Sequence, residues 1–274
     1  MPCAMSEDRR IVAVGVRAIA RIVAFPALLA GLFVPAFAEP DAQALVNAAD
    51  QARNPATPFS VTLDLTQYHG GKQIDSNQLV VYSKKAASGG SYSSLVQFVL
   101  PARDAGKLIL KNANDLWVYD PNNKASIRIS PQERLLGQAS NGDVVTANFS
   151  ADYRATLEAQ EDISDGEKKM RHCYRLMLKA AVADVTYDHM QIWIDSTSSE
   201  LVKGAFFAES GGLLKTVYYR KFANNLGVRM PTEAVIIDGV DPGAVTVMDF
   251  SNYQNKNIPD TWFQRSFLQN FQLR

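Results

Sequence analysis

The feature that most constrains this chain is a period of two that returns between short polar turns. In FSVTLDLTQY, Val61, Leu63 and Leu65 alternate with Thr62, Asp64 and Thr66. In SYSSLVQFVLP, Val96, Phe98 and Leu100 fall on one side, as do Met190, Ile192 and Ile194 in DHMQIWID. Successive side chains of a strand point to opposite faces, so this alternation marks strands with one buried face. HGGKQ, ASGGS, NAND, DPNNK, ISDGEKK, STSSE, SGGL, NNLG and GVDPG separate the runs. They are built from the Gly, Asn, Asp, Ser and Pro that tight turns use. The pattern predicts an antiparallel meander.

Helical signals are few. In DAQALVNAADQARNP, Asp41 can cap a helix, Leu45, Ala48, Ala49 and Ala52 recur at helical spacing, and Asn54-Pro55 stops it. SPQERLLGQAS offers Ser130 as a cap, Pro131 at the first helical position and Glu133 three residues after the serine. These signals predict a short helical insertion near residues 131–148, which Gly137 closes or weakens. Ser140 and Asp143 resemble a second helix start, with Val144, Val145 and Phe149 as its apolar face. Asp260 is a plausible cap for a last short helix carrying Phe263, Phe267 and Leu268. No Ser- or Pro-rich linker divides the chain, and no repeat of about 20–50 residues is visible. The expectation is one domain over residues 39–274, α+β but mainly β, built on one large antiparallel sheet.

The amino end reads as an export signal. Arg9, Arg10, Arg17 and Arg21 precede an uncharged apolar run, Ile22 to Phe37, and Ala36-Phe37-Ala38 has the small–x–small form of a cleavage site. Residues 1–38 are therefore expected to be a secretory signal peptide, cleaved after Ala38, with the mature chain in the periplasm; the alternative is an uncleaved anchor. The run is too short to span a bilayer comfortably, and no second apolar stretch approaches that length. Export implies an oxidising compartment, yet after cleavage Cys173 is the only cysteine left, so the fold relies on its core. Of 28 basic and 28 acidic residues in the precursor, the leader removes four Arg against Glu7 and Asp8, leaving 24 against 26. This balance shows no basic face for nucleic acid.

Motifs for chemistry are missing. There is no G-x-S-x-G elbow, phosphate loop, dinucleotide fingerprint or His-Glu-x-x-His. His69, His172 and His189 are far apart in sequence, and DPNNK lacks the length and the later Glu of a calcium loop. No catalytic residue, metal or cofactor is expected. The polar stretch SNGDVVTANFSADY supplies no base for Ser140 and reads as the ends of a helix.

A sheet this long must bury its apolar face, as a closed barrel filled by its own side chains or as a partly open one covered by helices. In the first case the inward residues make a dry core. In the second, Leu63, Leu65, Val96, Phe98, Leu100, Met190, Ile192 and Ile194 line a cavity for a hydrocarbon ligand, and Leu135, Leu136, Val144, Val145 and Phe149 belong to its lid.

From about Ala42 to Leu268 the chain resembles the outer-membrane lipoprotein-sorting protein family, the LolA-like group. The resemblance is carried in order by DLWVYDPNNKASIRIS, NGDVVTANFSADY, GGLLKTVYYRKF, RMPTEAVIID and TVMDFSNYQNKNIPDTWF. It implies a half-open antiparallel β-barrel under a small helical lid. It also implies a periplasmic, non-catalytic carrier that takes lipid or lipoprotein acyl chains from an inner-membrane transporter, of the RND type in some relatives, to an outer-membrane acceptor. No ligand-binding residue of the family transfers to a position here. A monomer is expected. The alternative is an accessory module of an RND-type exporter or an envelope assembly machine, without lipid cargo of its own.

Overall fold

The computed structural model describes residues 39–86, 91–113 and 115–271. The expected signal peptide, residues 1–38, lies outside the described residues. α1 (Ala42–Arg53) starts where its sequence says, with the Asp41 carboxylate accepting from the amides of Gln43 and Ala44, and ends at Asn54. The apolar stripe of α1 buries Val46 and Ala49.

Two meanders make up the rest. The first is β1 (Phe59–His69), β2 (Lys72–Lys85), β3 (Tyr92–Leu100), β4 (Leu108–Asn112), β5 (Asp115–Asp120) and β6 (Ala125–Arg128). A connector then carries the small hairpin of β7 (Arg134–Leu136) and β8 (Ala139–Ser140), and the short helix α2 (Phe149–Asp152). The second meander is β9 (Tyr153–Ser164), β10 (Met170–Ala180), β11 (His189–Asp195), β12 (Leu201–Phe207), β13 (Leu213–Asn225), β14 (Val228–Asp238) and β15 (Ala244–Asn255). Two 3-10 turns, Asp260–Phe263 and Arg265–Asn270, follow β15.

All the long strands join one antiparallel sheet of 13 strands, with β1 paired to β15 at its middle and β6 and β9 at its edges. The sheet stays open, and no ladder joins β6 to β9; the expected barrel is a curved open sheet. This topology explains the cover. The chain leaves the sheet at one edge, β6, and re-enters at the other, β9, so residues 129–152 must cross a face of it. They cross the face that carries Phe59, Val61, Leu63, Leu65, Leu79, Val81, Val96, Phe98, Val217, Ala234, Ile236 and Met248, the main apolar cluster. α1 packs on the same face, over β9, β11 and β14. On the opposite face Tyr82, Leu95, Leu108, Leu110 and Tyr119 are covered by Ile258, Phe263 and Leu268 of the carboxyl-terminal segment.

The predicted helix near residues 131–148 is not formed. A turn does occur at its start, where the amide of Gln132 donates to Ser130 Oγ and that of Glu133 to the Ser130 carbonyl. Beyond it Arg134–Leu136 is extended and pairs with Ala139–Ser140 across Gly137, which adopts a φ of +54°. Long-range anchoring overrides the local helical preference here: the Gln138 amide donates to Thr246 Oγ1 of β15, 2.9 Å away, and Leu136 and Ala139 are buried. Ser140 does start a turn, donating its amide to Asp143 Oδ2 at 2.7 Å, but that turn is a single 3-10 turn over Asn141–Asp143. Helical structure resumes only at Phe149.

Candidate functional site

Between the sheet, the end of α1 and the connector lies a cavity of about 200 Å³. Its sheet wall is apolar, with Phe59, Val61, Leu63, Val217, Ala234, Ile236 and Met248; Val144, Val145 and Phe149 form its cover. Among the residues expected to line a cavity, Leu63 does so. Leu65, Val96, Phe98, Met190, Ile192 and Ile194 are buried in the same apolar cluster but away from the open space. Leu100 is a correction. The residue is 53% exposed, because β3 ends there against Pro101 and the cover does not reach that far. Of the expected lid residues, Val144, Val145 and Phe149 face the cavity; Leu136 is buried and Leu135 half-buried in the hairpin, away from it.

The cover is tied down at three places by polar side chains of the sheet, of Tyr187 before β11, and of α1. At the first, the Lys215 ammonium of β13 is buried and donates to the Gln138 carbonyl at 3.0 Å and to the Asp143 carboxylate. The Tyr187 hydroxyl donates to the other oxygen of Asp143 at 2.7 Å, and burial raises the Tyr187 pKa well above the ordinary phenol value. At the second, Thr146 Oγ1 lies 2.5 Å from Ser83 Oγ, and the Thr146 amide donates to Ser94 Oγ at 3.2 Å. The third is a seam with α1. Asp50 accepts from the Ser150 amide at 2.7 Å and pairs with Arg53. Arg53 donates to the Ala147 carbonyl at 3.1 Å and lies over the Phe149 ring. Gln43 bonds the Ser150 and Tyr153 carbonyls and the Ala155 amide.

None of these anchors was anticipated from the sequence, although a signal existed. Lys215, Ser83 and Ser94 each occupy an inward slot in an otherwise apolar alternation. A polar group placed there must find a partner above the sheet.

Close packing also fixes the cover. A Cβ on Gly142 would stand 2.0 Å from Thr186 Oγ1 and 2.9 Å from Thr186 Cβ. We expect Gly142→Ala to lose about 1–3 kcal/mol, the usual cost of overpacking, and Thr186→Ala in the same chain to restore part of it. Urea unfolding of the single and double variants measures both.

The remaining candidates for chemistry do not converge here. Cys173 is fully buried, and burial, with Asp195 nearby, pushes its thiol up to about 12, so it carries no thiolate at neutral pH. Among the described residues no group of His, Cys, Asp and Glu could hold a metal, and no helix is long and apolar enough to cross a membrane. The three histidines each face a different aspartate, Asp241, Asp162 and Asp188.

An open curved sheet with an apolar cavity under a connector held by discrete polar anchors defines a binding fold. A family model described as an uncharacterized protein matches residues 90–270. The chain is similar to a LolA superfamily protein from Nitrosomonas europaea, with 32% identity and a TM-score of 0.74 over 84% of this chain and 100% of that one. It is also similar to a DUF1329 family protein from Desulfovibrio piger, at 22% identity and TM-score 0.70, over 83% and 97% of the two chains. An outer-membrane lipoprotein-sorting protein domain from Vibrio parahaemolyticus matches at 16% identity and TM-score 0.70, over 83% and 98%. These last two show the fold alone. No curated protein matches the chain. The protein belongs to the LolA superfamily.

Proposed function

We propose that this protein is a periplasmic carrier that shields acyl chains of a lipoprotein or other lipid and hands them from an inner-membrane donor to an outer-membrane acceptor, without catalysis. The observation that supports this most is the apolar cavity beneath a cover fastened by hydrogen bonds. Each methylene taken out of water is worth about 0.8 kcal/mol, so an apolar wall suits an acyl chain. Ligand pockets usually span about 300–1,000 Å³, and about 200 Å³ is less than that. The described conformation is then a closed one, and loading requires residues 144–149 to move. Polar anchors suit such a cover: a displaced hydroxyl or amide regains water, so each net bond costs only about 0.5–1.5 kcal/mol to open. The membership of the LolA superfamily and the likeness to a lipoprotein-sorting domain agree with the reading.

Native mass spectrometry of protein released from the periplasm without detergent tests it. The expected result is bound acyl-bearing species, and renewed uptake after delipidation and exposure to lipid. Protein that stays empty through both steps overturns the carrier reading and leaves the lipid-free accessory module.

A further inference from the structure

Of the charged side chains lining the cavity, most are matched. Arg53 pairs with Asp50, Asp143 with Lys215, and Asp184 with Arg128. Lys111 and Asp152 are not. Lys111 is on β4, in the inward row with Ile109, and among the described residues donates only to the Thr146 carbonyl, 3.3 Å away. Asp152, at the end of α2, has no hydrogen bond or ion pair to its carboxylate among the described residues. The two groups are close enough to act on each other electrostatically, yet they form no ion pair. Both are held out of water: burial lowers the Lys111 pKa, partly offset by Asp152, and raises that of Asp152, partly offset by Lys111. Two opposite, partly desolvated charges that face one cavity and do not meet are costly in isolation. They are complementary to a ligand group that carries both signs.

We propose that Lys111 and Asp152 form a head-group site, in which Lys111 receives the anionic part and Asp152 the N–H donors of a zwitterionic amphiphile whose acyl chain lies along the apolar wall. The proposal deepens the carrier reading and rests on it. Val61, Leu63 and Met248 then hold hydrocarbon while the polar end stays near the junction of α1 and α2. Arg53 and Asp50 are already matched to each other and to the backbone of the cover, so they hold the junction together without competing for the head.

The test uses delipidated full-length mature protein and three probes. These are a single-chain phosphoethanolamine lysolipid, the phosphocholine lysolipid of the same chain, whose quaternary nitrogen has no N–H, and an uncharged fluorescent alkyl probe. The wild type is expected to bind the phosphoethanolamine lysolipid about tenfold more tightly than its phosphocholine counterpart, the scale of one charge-assisted hydrogen bond. Asp152→Asn, which keeps the shape and loses the charge, is expected to bring that ratio close to one. Lys111→Met should weaken both lysolipids by about tenfold. The alkyl probe should bind all three proteins alike, which shows that the cavity is intact. Equal affinity for the two lysolipids in the wild type, or no response to either substitution while the alkyl probe binds, overturns the head-group site and leaves the carrier. Failure of every probe to bind the wild type overturns the carrier reading, and the site with it.

Discussion

Lys215→Met is expected to lower the unfolding free energy by about 3–5 kcal/mol, the cost of removing one partner from a buried ion pair. Lys215 is 3% exposed, and its ammonium meets the Asp143 carboxylate and the Gln138 carbonyl. Methionine fills a similar volume, so packing changes little. The Asp143 carboxylate, however, keeps its charge and loses its cation, while still accepting from Tyr187 and the Ser140 amide. Adding Asp143→Asn removes the stranded charge and leaves an oxygen for Tyr187; the double variant is expected to recover a large part of the loss. Urea unfolding of the single and double variants measures this. Near-equal midpoints for Lys215→Met and the wild type would mean that water reaches the pair and that it does not hold the cover. The pair fastens the connector at Gln138, just before β8, and at Asp143, the end of the 3-10 turn. An alkyl probe should therefore associate faster with the folded Lys215→Met variant than with the wild type.

The strands were readable because alternation and turn chemistry are local. β1, β3 and β11 each have a clear apolar side, and each turn between them carries Gly, Asn, Asp or Ser. α1 was readable for the same reason, from Asp41 to Asn54. The connector was not, because its shape is dictated by topology. Only the pairing of β1 with β15, which puts β6 and β9 at opposite edges, forces residues 129–152 to cross the sheet. The hairpin at Gly137 then wins over the helix that Ser130 would start through contacts with Thr246 and Lys215, more than 70 residues away in sequence. The candidate site was half legible. Leu63 and the apolar cover could be found by period; Lys111, Lys215, Ser83 and Ser94 interrupt that period at inward slots, but what each meets above the sheet is far away in sequence. Leu100 shows the converse error: it keeps the inward phase of β3 but stands past the end of the covered region.

Ile192→Asp is expected to be the more severe of two aspartate substitutions that the period of two alone would rank as equal. Ile192 and Leu100 both hold inward phase, but Ile192 is fully buried and Leu100 is 53% exposed. A carboxylate at Ile192 finds Met190 and Ile194 beside it in the same buried row of β11, with α1 packed over that strand. Neither Met190 nor Ile194 offers a hydrogen bond from its side chain, so the charge either stays unpaired or takes up a proton at neutral pH, and either outcome costs about 4 kcal/mol or more. At Leu100 the same carboxylate reaches solvent, and the expected change is within about 0.5 kcal/mol. Chemical unfolding of both variants decides it; equal losses would mean that the covered region of the sheet is drawn wrongly at one end. Because Ile192 lies away from the open cavity, the milder Ile192→Ala should lose about 2–5 kcal/mol of stability while its folded fraction keeps the affinity of the wild type for an alkyl probe. Leu63→Ala should instead lower that affinity, since Leu63 forms part of the wall. A binding loss in Ile192→Ala as large as that in Leu63→Ala would place the acyl chain under α1, deeper than the cavity beneath residues 144–149, and would move the carrier site to the β11 arm of the sheet.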